Sequence, residues 1–308
     1  MAGNGIVSIG ECMLELSGRG GEDWRMGFAG DTLNTLWALR ALTGTERTAN
    51  YVSAFGDDPF SRDQIAFFEA NGIGVGESSI ISGARPGLYA ITLTGAERSF
   101  TYWRNDSAAK QLASDPARLA KSLENQALVY FSGITLAILE PPARKVLIDA
   151  VNVSRKTGSL VAFDANYRPR LWKSPEEARA AIDEALSVTD IALPTFPDEQ
   201  SLHGDASPET TADRLSAAGV REIVVKNGEL PATVRYQGKT ETVAAVHVAS
   251  PVDTTGAGDS FNGSYLAARL EGLSPIEATR KAHAVAAAVV QVRGALAPHE
   301  TLRAAFAV

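Results

Sequence analysis

The stretch DTTGAGDSFNGSYLAARL, residues 253–270, places a glycine-rich turn directly before a predicted helix. Gly256 and Gly258 allow close backbone approach, and the first amide groups of a helix lack intrahelical partners and carry partial positive charge. Such a turn can bind a phosphate or a developing anion. Asp259 falls in the first helical turn, where its carboxylate can accept a proton from a hydroxyl group. The combination suits phosphoryl transfer to an alcohol, although an aspartate after a glycine turn can also be a simple helix cap.

The longer string D-T-T-G-A-G-D-x-F resembles the C-terminal signature of the PfkB-type, or ribokinase-like, carbohydrate kinases. The resemblance implies that Asp259 is the catalytic base. It also implies that the backbone of Gly256, Ala257 and Gly258 forms the hole for the anion. ATP is then the phosphoryl donor, and Mg²⁺ is expected to bridge its phosphates.

Short apolar runs, among them residues 5–9, 128–131, 160–163 and 222–225, alternate with longer helical segments. This order predicts an α/β fold with a mainly parallel sheet that helices cover on both faces. Ligands of such sheets bind beyond the carboxyl ends of the strands. The resemblance implies a ribokinase-like three-layer sandwich with a small β-sheet lid.

Two β-rich runs, residues 87–94 and 98–104, surround the turn GAE and predict a hairpin that interrupts the alternation. We expect this hairpin to stand apart from the main sheet as part of the lid. The sequence contains no clean linker. We therefore expect one kinase domain over residues 1–308, with lid strands from about 11–30 and 85–105.

The segment GFAGDTLNTLWAL matches a glycine-rich stretch near the N-terminus of the family, which is followed by an asparagine on a helix. Gly30, Asp31 and Asn34 fall at its sugar-contacting positions. A polyol needs hydrogen-bond partners, and glycine lets the sugar approach the backbone. A helix is predicted over residues 33–42 with Asp31 or Thr32 as its N-cap, so a capping role for Asp31 stays open.

The nucleotide side of the family resemblance begins with VVKNGELPATV, residues 224–234. Lys226 can contact phosphate oxygens as a point charge, or it can be a surface lysine at the end of a strand. The Ala-rich segment of residues 282–294 matches the helix beside the adenine, although simple helix packing explains any one of its alanines equally well. The residues to which the resemblance gives a role in ATP binding are Asn166, Lys226, Gly228, Gly256, Gly258 and Ala286.

Many family members carry N-x-x-E after a central strand, with the glutamate organising magnesium and phosphate. The corresponding segment here is LPTFPDE, in which Thr195 stands where asparagine is usual. Asp198 or Glu199 must replace the glutamate. Glu199 is the better side-chain match, and we assign it an indirect role at the metal.

The predicted hairpin and the segment FDANYRPRLW carry aromatic and cationic side chains that suit a sugar acid. Each guanidinium can form a paired fork with a carboxylate, which a neutral sugar would not need, although surface salt bridges are the alternative. IGECMLELS, FAGDTLN, FTYWRNDSAA and D-x-NYRPxLW together resemble the 2-keto-3-deoxygluconate kinases of this family. The residues that would then hold the sugar acid are Tyr89, Tyr102, Arg104 and Arg168.

The reaction that this resemblance implies is transfer of phosphate from ATP to the 6-hydroxyl of 2-keto-3-deoxygluconate. The alternatives are another PfkB-type kinase, such as a fructokinase or ribokinase, and a non-catalytic sugar or nucleotide sensor. One departure from some relatives is that Ala295 and Leu296 follow Gly294 where an acidic residue contacts the far end of the sugar. The first strand-to-helix turn lacks G-x-G-x-x-G, which disfavours a dinucleotide-dependent oxidoreductase.

The composition is that of an ordinary globular protein, with 308 residues, 45% hydrophobic and 21% charged. A formal net charge of −7 gives no basic face for nucleic acid. The single cysteine, Cys12, excludes an intrachain disulfide, and we interpret it as a core residue. No secretory signal or membrane-spanning run is apparent. We expect a cytoplasmic enzyme that assembles as a homodimer or higher homo-oligomer through the lid.

Overall fold

The computed structural model describes residues 3–18, 23–94 and 97–308. The strands of these residues are, in chain order, β1 (Gly5–Ile9), β2 (Met13–Gly18), β3 (Trp24–Ala29), β4 (Ala49–Val52), β5 (Ala54–Gly56), β6 (Ser79–Ile81), β7 (Leu88–Thr94), β8 (Glu97–Trp103), β9 (Gln126–Ser132), β10 (Leu160–Asp164), β11 (Ile191–Ala192), β12 (Glu222–Asn227), β13 (Leu230–Tyr236) and β14 (Lys239–Val243).

The α-helices of the same residues are α1 (Asp31–Leu42), α2 (Pro59–Ala70), α3 (Pro116–Ser122), α4 (Gly133–Ala137), α5 (Pro141–Lys156), α6 (Pro175–Ser187), α7 (Phe196–His203), α8 (Pro208–Ala217), α9 (Ala257–Leu270), α10 (Pro275–Val289) and α11 (His299–Ala307). Within the described ranges, none of them combines the length and the apolar character that a membrane span requires.

The central sheet has eight strands in the order β14–β13–β12–β11–β10–β9–β1–β4. The six strands from β12 to β4 pair in parallel, and β13 and β14 continue the sheet in antiparallel pairing at one edge. All five residues of β1 are buried, as expected for a strand covered on both faces. The predicted mainly parallel α/β sheet is therefore confirmed.

Helices cover both faces of the central sheet, and each side has its own apolar core. Leu147 of α5 and Ile182 of α6 belong to one core. Leu36 of α1, Tyr265 of α9 and Val285 of α10 belong to the other. The helix–sheet–helix order is the predicted three-layer sandwich. Cys12 is buried in the second core, as the sequence predicted.

A second, four-stranded sheet has the order β3–β2–β7–β8 and is called the small sheet below. β2 and β7 pair in parallel, whereas β3 with β2 and β7 with β8 are antiparallel. The hairpin predicted from the sequence is the pair β7–β8, and its turn residues 95 and 96 lie outside the described residues.

The two faces of the small sheet carry different side chains. Glu15, Tyr89 and Tyr102 are direct neighbours across three strands and lie on one face, which we call the inner face. The opposite, outer face carries Met26 of β3 and Trp103 of β8 among its exposed residues.

The predicted N-cap of the first helix was wrong. α1 begins at Asp31 itself, its N-cap is Gly30, and no side chain caps it by a hydrogen bond. The Asp31 carboxylate instead accepts a hydrogen bond of 2.8 Å from Asn166 Nδ2. It is held by a distant loop and is therefore not turned back onto its own helix.

Candidate active site

The carboxyl ends of the central strands open into a cavity of about 650 Å³ at the amino end of α9. Asp164 ends β10, and Lys226 lies near the end of β12. The cavity brings together nine of the predicted site residues: Asp31, Asn34, Tyr102, Asn166, Arg168, Lys226, Gly256, Gly258 and Asp259. Residues far apart in the sequence therefore share one site, as the strand order predicted.

Asp259 lies in the first turn of α9 and is half-buried in the wall of this cavity. Its Oδ2 accepts a hydrogen bond of 2.8 Å from Asn34 Nδ2. Burial and then the charge of Asp31 raise the pKa of Asp259 to about 7, while the Asn34 hydrogen bond and the charge of Lys226 act in the opposite direction. A carboxyl group with such a pKa can exchange protons near neutral pH.

The two glycines of the turn before α9 differ in how strictly the structure requires them. Gly256 has φ 75°, in the left-handed region, and a Cβ there would lie 2.8 Å from the Ala295 carbonyl oxygen. Gly258 leaves open space, since an added Cβ would meet only Lys226 Nζ at 3.8 Å. Ala257 N–H donates to Thr254 O at 3.3 Å, whereas the amide of Gly258 lies one position further into the helix, where no intrahelical carbonyl is available.

Asp253 fixes the loop that leads into this turn. One of its carboxylate oxygens accepts from Thr255 N at 3.0 Å and the other from Gly294 N at 2.9 Å. The aspartate thereby ties the glycine turn to the segment that follows α10. The first residue of the sequence signature has a structural role.

Gly30 and Asn166 place the Asp31 carboxylate. A Cβ at Gly30 would lie 2.1 Å from Glu11 O, so only glycine fits where the chain passes from β3 into α1. Asn166 adopts a left-handed backbone with φ 37°, and its N–H donates to Asp164 Oδ1 at 3.0 Å. This unusual conformation turns the Asn166 amide towards Asp31 across the cavity.

Lys226 is buried, which excludes the surface-lysine alternative. Its Nζ donates to Asp164 Oδ2 at 2.7 Å and to Asn262 Oδ1 at 2.8 Å. Asn262 Nδ2 in turn donates to Asp164 Oδ2 at 2.8 Å and to the Tyr130 hydroxyl at 3.2 Å. The sequence analysis missed Asn262, although it lies three residues after Asp259 and therefore on the same side of the helix.

Arg168 and Tyr102 line the cavity from two different sheets, since Arg168 follows a strand of the central sheet and Tyr102 belongs to the small sheet. Arg168 follows β10, and its Nη1 donates to Asp198 Oδ2 at 3.2 Å and to Tyr167 O at 2.9 Å. Tyr102 lies on the inner face of the small sheet and remains about half exposed, at 47%. Its neighbour two residues earlier, Phe100, also lines the cavity. A cationic side chain and two aromatic side chains thus line the same cavity.

Arg104 and Tyr89 do not line the cavity but lie close behind Tyr102. Arg104 forms a buried ion pair with Glu11, and its guanidinium carbon is 6.0 Å from the centre of the Tyr102 ring. The Tyr89 hydroxyl donates to Glu15, and its ring lies 5.7 Å from that of Tyr102. Both glutamates, Glu11 and Glu15, belong to the motif IGECMLELS, but the sequence analysis assigned no role to either of them.

The side chains of Asp198 and Glu199 lie in different surroundings. Glu199 is almost fully buried and pairs with Arg214 Nη2 at 2.5 Å, and burial raises its pKa to about 7 despite that pair. Asp198 pairs with Arg168 at the cavity, and burial raises its pKa as well. The indirect metal role of Glu199 stays a prediction, and Asp198 has the closer connection to the cavity residues.

Gly228 and Ala286 lie away from the residues that line the cavity. Gly228 forms the turn between β12 and β13 with φ 61°. Ala286 is half-buried on α10 and packs against the second core. Their predicted contacts with ATP stay predictions.

A second cavity, of about 900 Å³, lies beside the inner face of the small sheet. Glu15 and Ile91 line it from the sheet, and Trp37 and Phe67 line it from helices α1 and α2. Gly294, Ala295 and Leu296 form part of its wall. The segment that departs from some relatives therefore borders this second cavity.

The carboxylates at the first cavity fit a magnesium ion that is bound mainly through phosphates. Mg²⁺ commonly uses one or two carboxylates together with substrate phosphates and water, and not a cage of protein ligands. Asp164 and Asp198 provide hard oxygen donors near Lys226 and Arg168. Within the described ranges, no group of three His, Cys, Asp or Glu side chains forms a ready-made metal cage.

The chain belongs to the pfkB family of carbohydrate kinases, whose sequence profile matches residues 4–302. It is 41% identical over 306 residues to the 2-dehydro-3-deoxygluconokinase of Escherichia coli, covering 97% of this chain and 99% of that protein.

Solved structures show the same fold. A PfkB protein from a Polaromonas species has a TM-score of 0.83 and 26% identity, covering 99% of this chain and 100% of that one. An E. coli protein described as a ribokinase II, in complex with ATP and Mg²⁺, has a TM-score of 0.85 and 23% identity, covering 98% of both chains.

Proposed function

We propose that this carbohydrate kinase transfers the γ-phosphoryl group of ATP to the 6-hydroxyl of 2-keto-3-deoxygluconate, also called 2-dehydro-3-deoxygluconate. The observation that carries the proposal is the near full-length identity of 41% to the E. coli kinase of that name. The cavity supports it chemically, because Arg168 and Tyr102 line the same space as Asp259. An arginine there can pair with the carboxylate of the substrate.

Asp259 acts as the general base in this proposal. Its ionised carboxylate accepts the proton of the substrate hydroxyl as the oxygen attacks the γ-phosphorus. Asn34 holds one carboxylate oxygen by the 2.8 Å hydrogen bond and leaves the other for the hydroxyl. Because Asp31 and Asn34 line the same cavity, they bind and orient the sugar chain.

The glycine turn and the cations stabilise the transferring group. The amide of Gly258, the partial positive charge at the start of α9 and Lys226 are directed at the charge that develops on the phosphoryl oxygens. When bound, Mg²⁺ supplies charge neutralisation between the ATP phosphates. Asp164 and Asp198 would hold it, with Glu199 behind them.

The small sheet is the lid in this proposal, and it forms part of a single domain spanning residues 1–308. Its inner face carries Tyr102 and Phe100 over the cavity, so closure would exclude water that competes with the sugar hydroxyl. We also propose that two chains pair through the outer face, where Trp24, Met26 and Trp103 are exposed. We propose the cytoplasm as the site of the reaction, because it supplies ATP.

The test is ATP-dependent ADP release with 2-keto-3-deoxygluconate, fructose and ribose, for the wild type and for Asp259→Asn. We expect turnover with the keto acid only, and a loss of about a hundredfold or more in kcat for the variant. Preference for fructose or ribose would leave the kinase class intact and overturn the keto-acid assignment. Sugar binding without ADP release would indicate a sensor.

A further inference from the structure

Glu11 and Arg104 form a buried ion pair at the base of the small sheet. Glu11 lies between β1 and β2, and Arg104 follows the last residue of β8. Arg104 Nη2 donates to Glu11 Oε2, and the two side chains are only 11% and 1% exposed. The pair therefore connects the central sheet to the edge strand of the small sheet.

Gly87 shapes the space around this pair. A Cβ at Gly87 would lie 2.5 Å from Glu11 Oε1 and 3.1 Å from Arg104 Cβ. The Gly87 carbonyl oxygen also accepts from Leu14 N at 2.8 Å, which fixes its backbone against β2. The carboxylate is thus enclosed on the side of Gly87, so it has little freedom to turn away from the arginine.

The hydrogen-bonding capacity of the Glu11–Arg104 pair is only partly used. Within the part of the chain that the structure describes, Glu11 Oε1 and Arg104 Nε are buried without a hydrogen-bond partner. A guanidinium carries five N–H groups, and a single carboxylate oxygen occupies only part of them. Arg104 therefore retains donors for a second anion.

Arg104 lies close to a residue that lines the cavity. Arg104 is 6.0 Å from the ring centre of Tyr102, which lines the cavity. Glu15 holds Tyr89 on the same inner face in a similar way. Each of the two side chains behind Tyr102 is thus held by a glutamate from the N-terminal segment.

We propose that Glu11 is a positioning residue that fixes the guanidinium of Arg104 for the carboxylate of the sugar acid. The inference rests on the proposed function, because it requires a substrate carboxylate. A free arginine side chain must lose its rotamer freedom when it binds an anion, whereas Glu11 orders Arg104 in advance. The interaction also keeps a buried guanidinium compensated by charge before the substrate arrives.

The test is steady-state kinetics of Glu11→Gln, Arg104→Gln and the double variant, beside the wild type. We expect Glu11→Gln to raise the KM for 2-keto-3-deoxygluconate about tenfold, with kcat and the KM for ATP within about twofold of the wild type. The double variant should have the same KM as Arg104→Gln, because Glu11 acts only through Arg104. Glu11→Asp, which keeps the charge, should restore part of the loss.

A matched control is Glu222→Gln, which weakens a buried glutamate–arginine pair at the opposite end of the central strands. Glu222 begins β12 and accepts from Arg269 Nε at 2.8 Å and Arg269 Nη2 at 2.9 Å. This variant should leave the KM for the keto acid unchanged. It separates the positioning effect from a general loss of stability.

Three results would overturn the inference. These are an unchanged KM for the keto acid in Glu11→Gln, an equal rise in the KM for ATP, or additive effects of the two substitutions. If Glu11→Gln does not fold, Glu11→Asp still decides, because a KM for the keto acid equal to that of the wild type would contradict the proposal. A wild type without keto-acid turnover overturns the proposed function first, and the inference with it.

Discussion

The carboxylate of Asp259 must be ionised before it can accept a proton. Its pKa of about 7 therefore predicts that activity depends on pH within the neutral range. Burial and the negative charge of Asp31 favour the protonated form, which is inactive as a base. In the proposed mechanism, the same residue would determine both the proton transfer and the pH range in which it operates.

We expect kcat/KM for the keto acid, which reports groups of the free enzyme, to rise about tenfold per pH unit below pH 7 and to level off above it. The measurement is the pH profile of ADP release between about pH 5.5 and 8.5. Asn34→Ala removes the hydrogen bond that lowers the pKa of Asp259, so the midpoint should move to higher pH. A profile that is flat across this range would contradict the role of Asp259 as the titrating base.

At the residue scale, the sequence could identify individual site residues but not their partners. Asp259 and Asn34 were both predicted, yet they are 225 residues apart and nothing in their local sequence indicates that they form a hydrogen bond. Lys226 had two open interpretations that only its burial could separate. The ion pair of Arg104 with Glu11, 93 residues away, was missed for the same reason.

At the scale of secondary-structure elements, the turn before α9 depends on the backbone of one glycine. Alanine at Gly256 would have to adopt φ 75° and would also place its Cβ 2.8 Å from the Ala295 carbonyl oxygen. We expect Gly256→Ala to lower the free energy of unfolding by about 2 kcal/mol or more and to reduce kcat/KM at least about tenfold. Urea denaturation and ADP release measure the two effects.

The control for that substitution is Gly272→Ala, in the turn after α9. Gly272 also has a left-handed φ, 87°, but an added Cβ there meets nothing within 4 Å. It should lose about 1 kcal/mol from backbone strain and retain activity. Equal losses of stability in both variants would show that the contact with Ala295 has no consequence.

Elements with a clear pattern of apolar residues could be predicted from the sequence. Details that depend on contact with another element could not. The strand over residues 5–9 and the hairpin of β7 and β8 follow from apolar runs and a turn. The start of α1 was not predictable in detail, since the side chain that normally caps such a helix is held by Asn166. A hydrogen bond between two residues distant in the sequence here overrode a local capping preference.

At the scale of the whole molecule, anion binding is not explained by a basic surface. The chain carries a net charge of −7, and each cation at or behind the cavity is already paired with a carboxylate. The pairs are Lys226 with Asp164, Arg168 with Asp198 and Arg104 with Glu11. In the proposed function, binding of a sugar acid and ATP would therefore depend on directed donors and on the charge of the bound magnesium, and not on a positive field.

The outer face of the small sheet predicts the state of assembly. Met26 and Trp103 are 44% and 58% exposed on this face, and Trp24 lies on the same strand as Met26. Large apolar side chains clustered on one sheet face are typical of an interface, and two copies related by a two-fold axis can bury them together. We expect the wild type to elute at twice the mass of one chain in size-exclusion chromatography with light scattering.

The double substitution of Met26→Glu and Trp103→Glu should convert this dimer to a monomer, because it would bury like charges against their symmetry mates. Val153→Glu is the matched control, since Val153 is equally exposed, at 60%, but lies on α5 away from the small sheet. It should leave the mass unchanged. A wild type that remains monomeric at micromolar concentration, or a dimer that survives the double substitution, would contradict pairing through this face. In the monomeric variant Tyr102 stays on the inner face, so any fall in kcat/KM would measure how far the lid depends on its partner for closure.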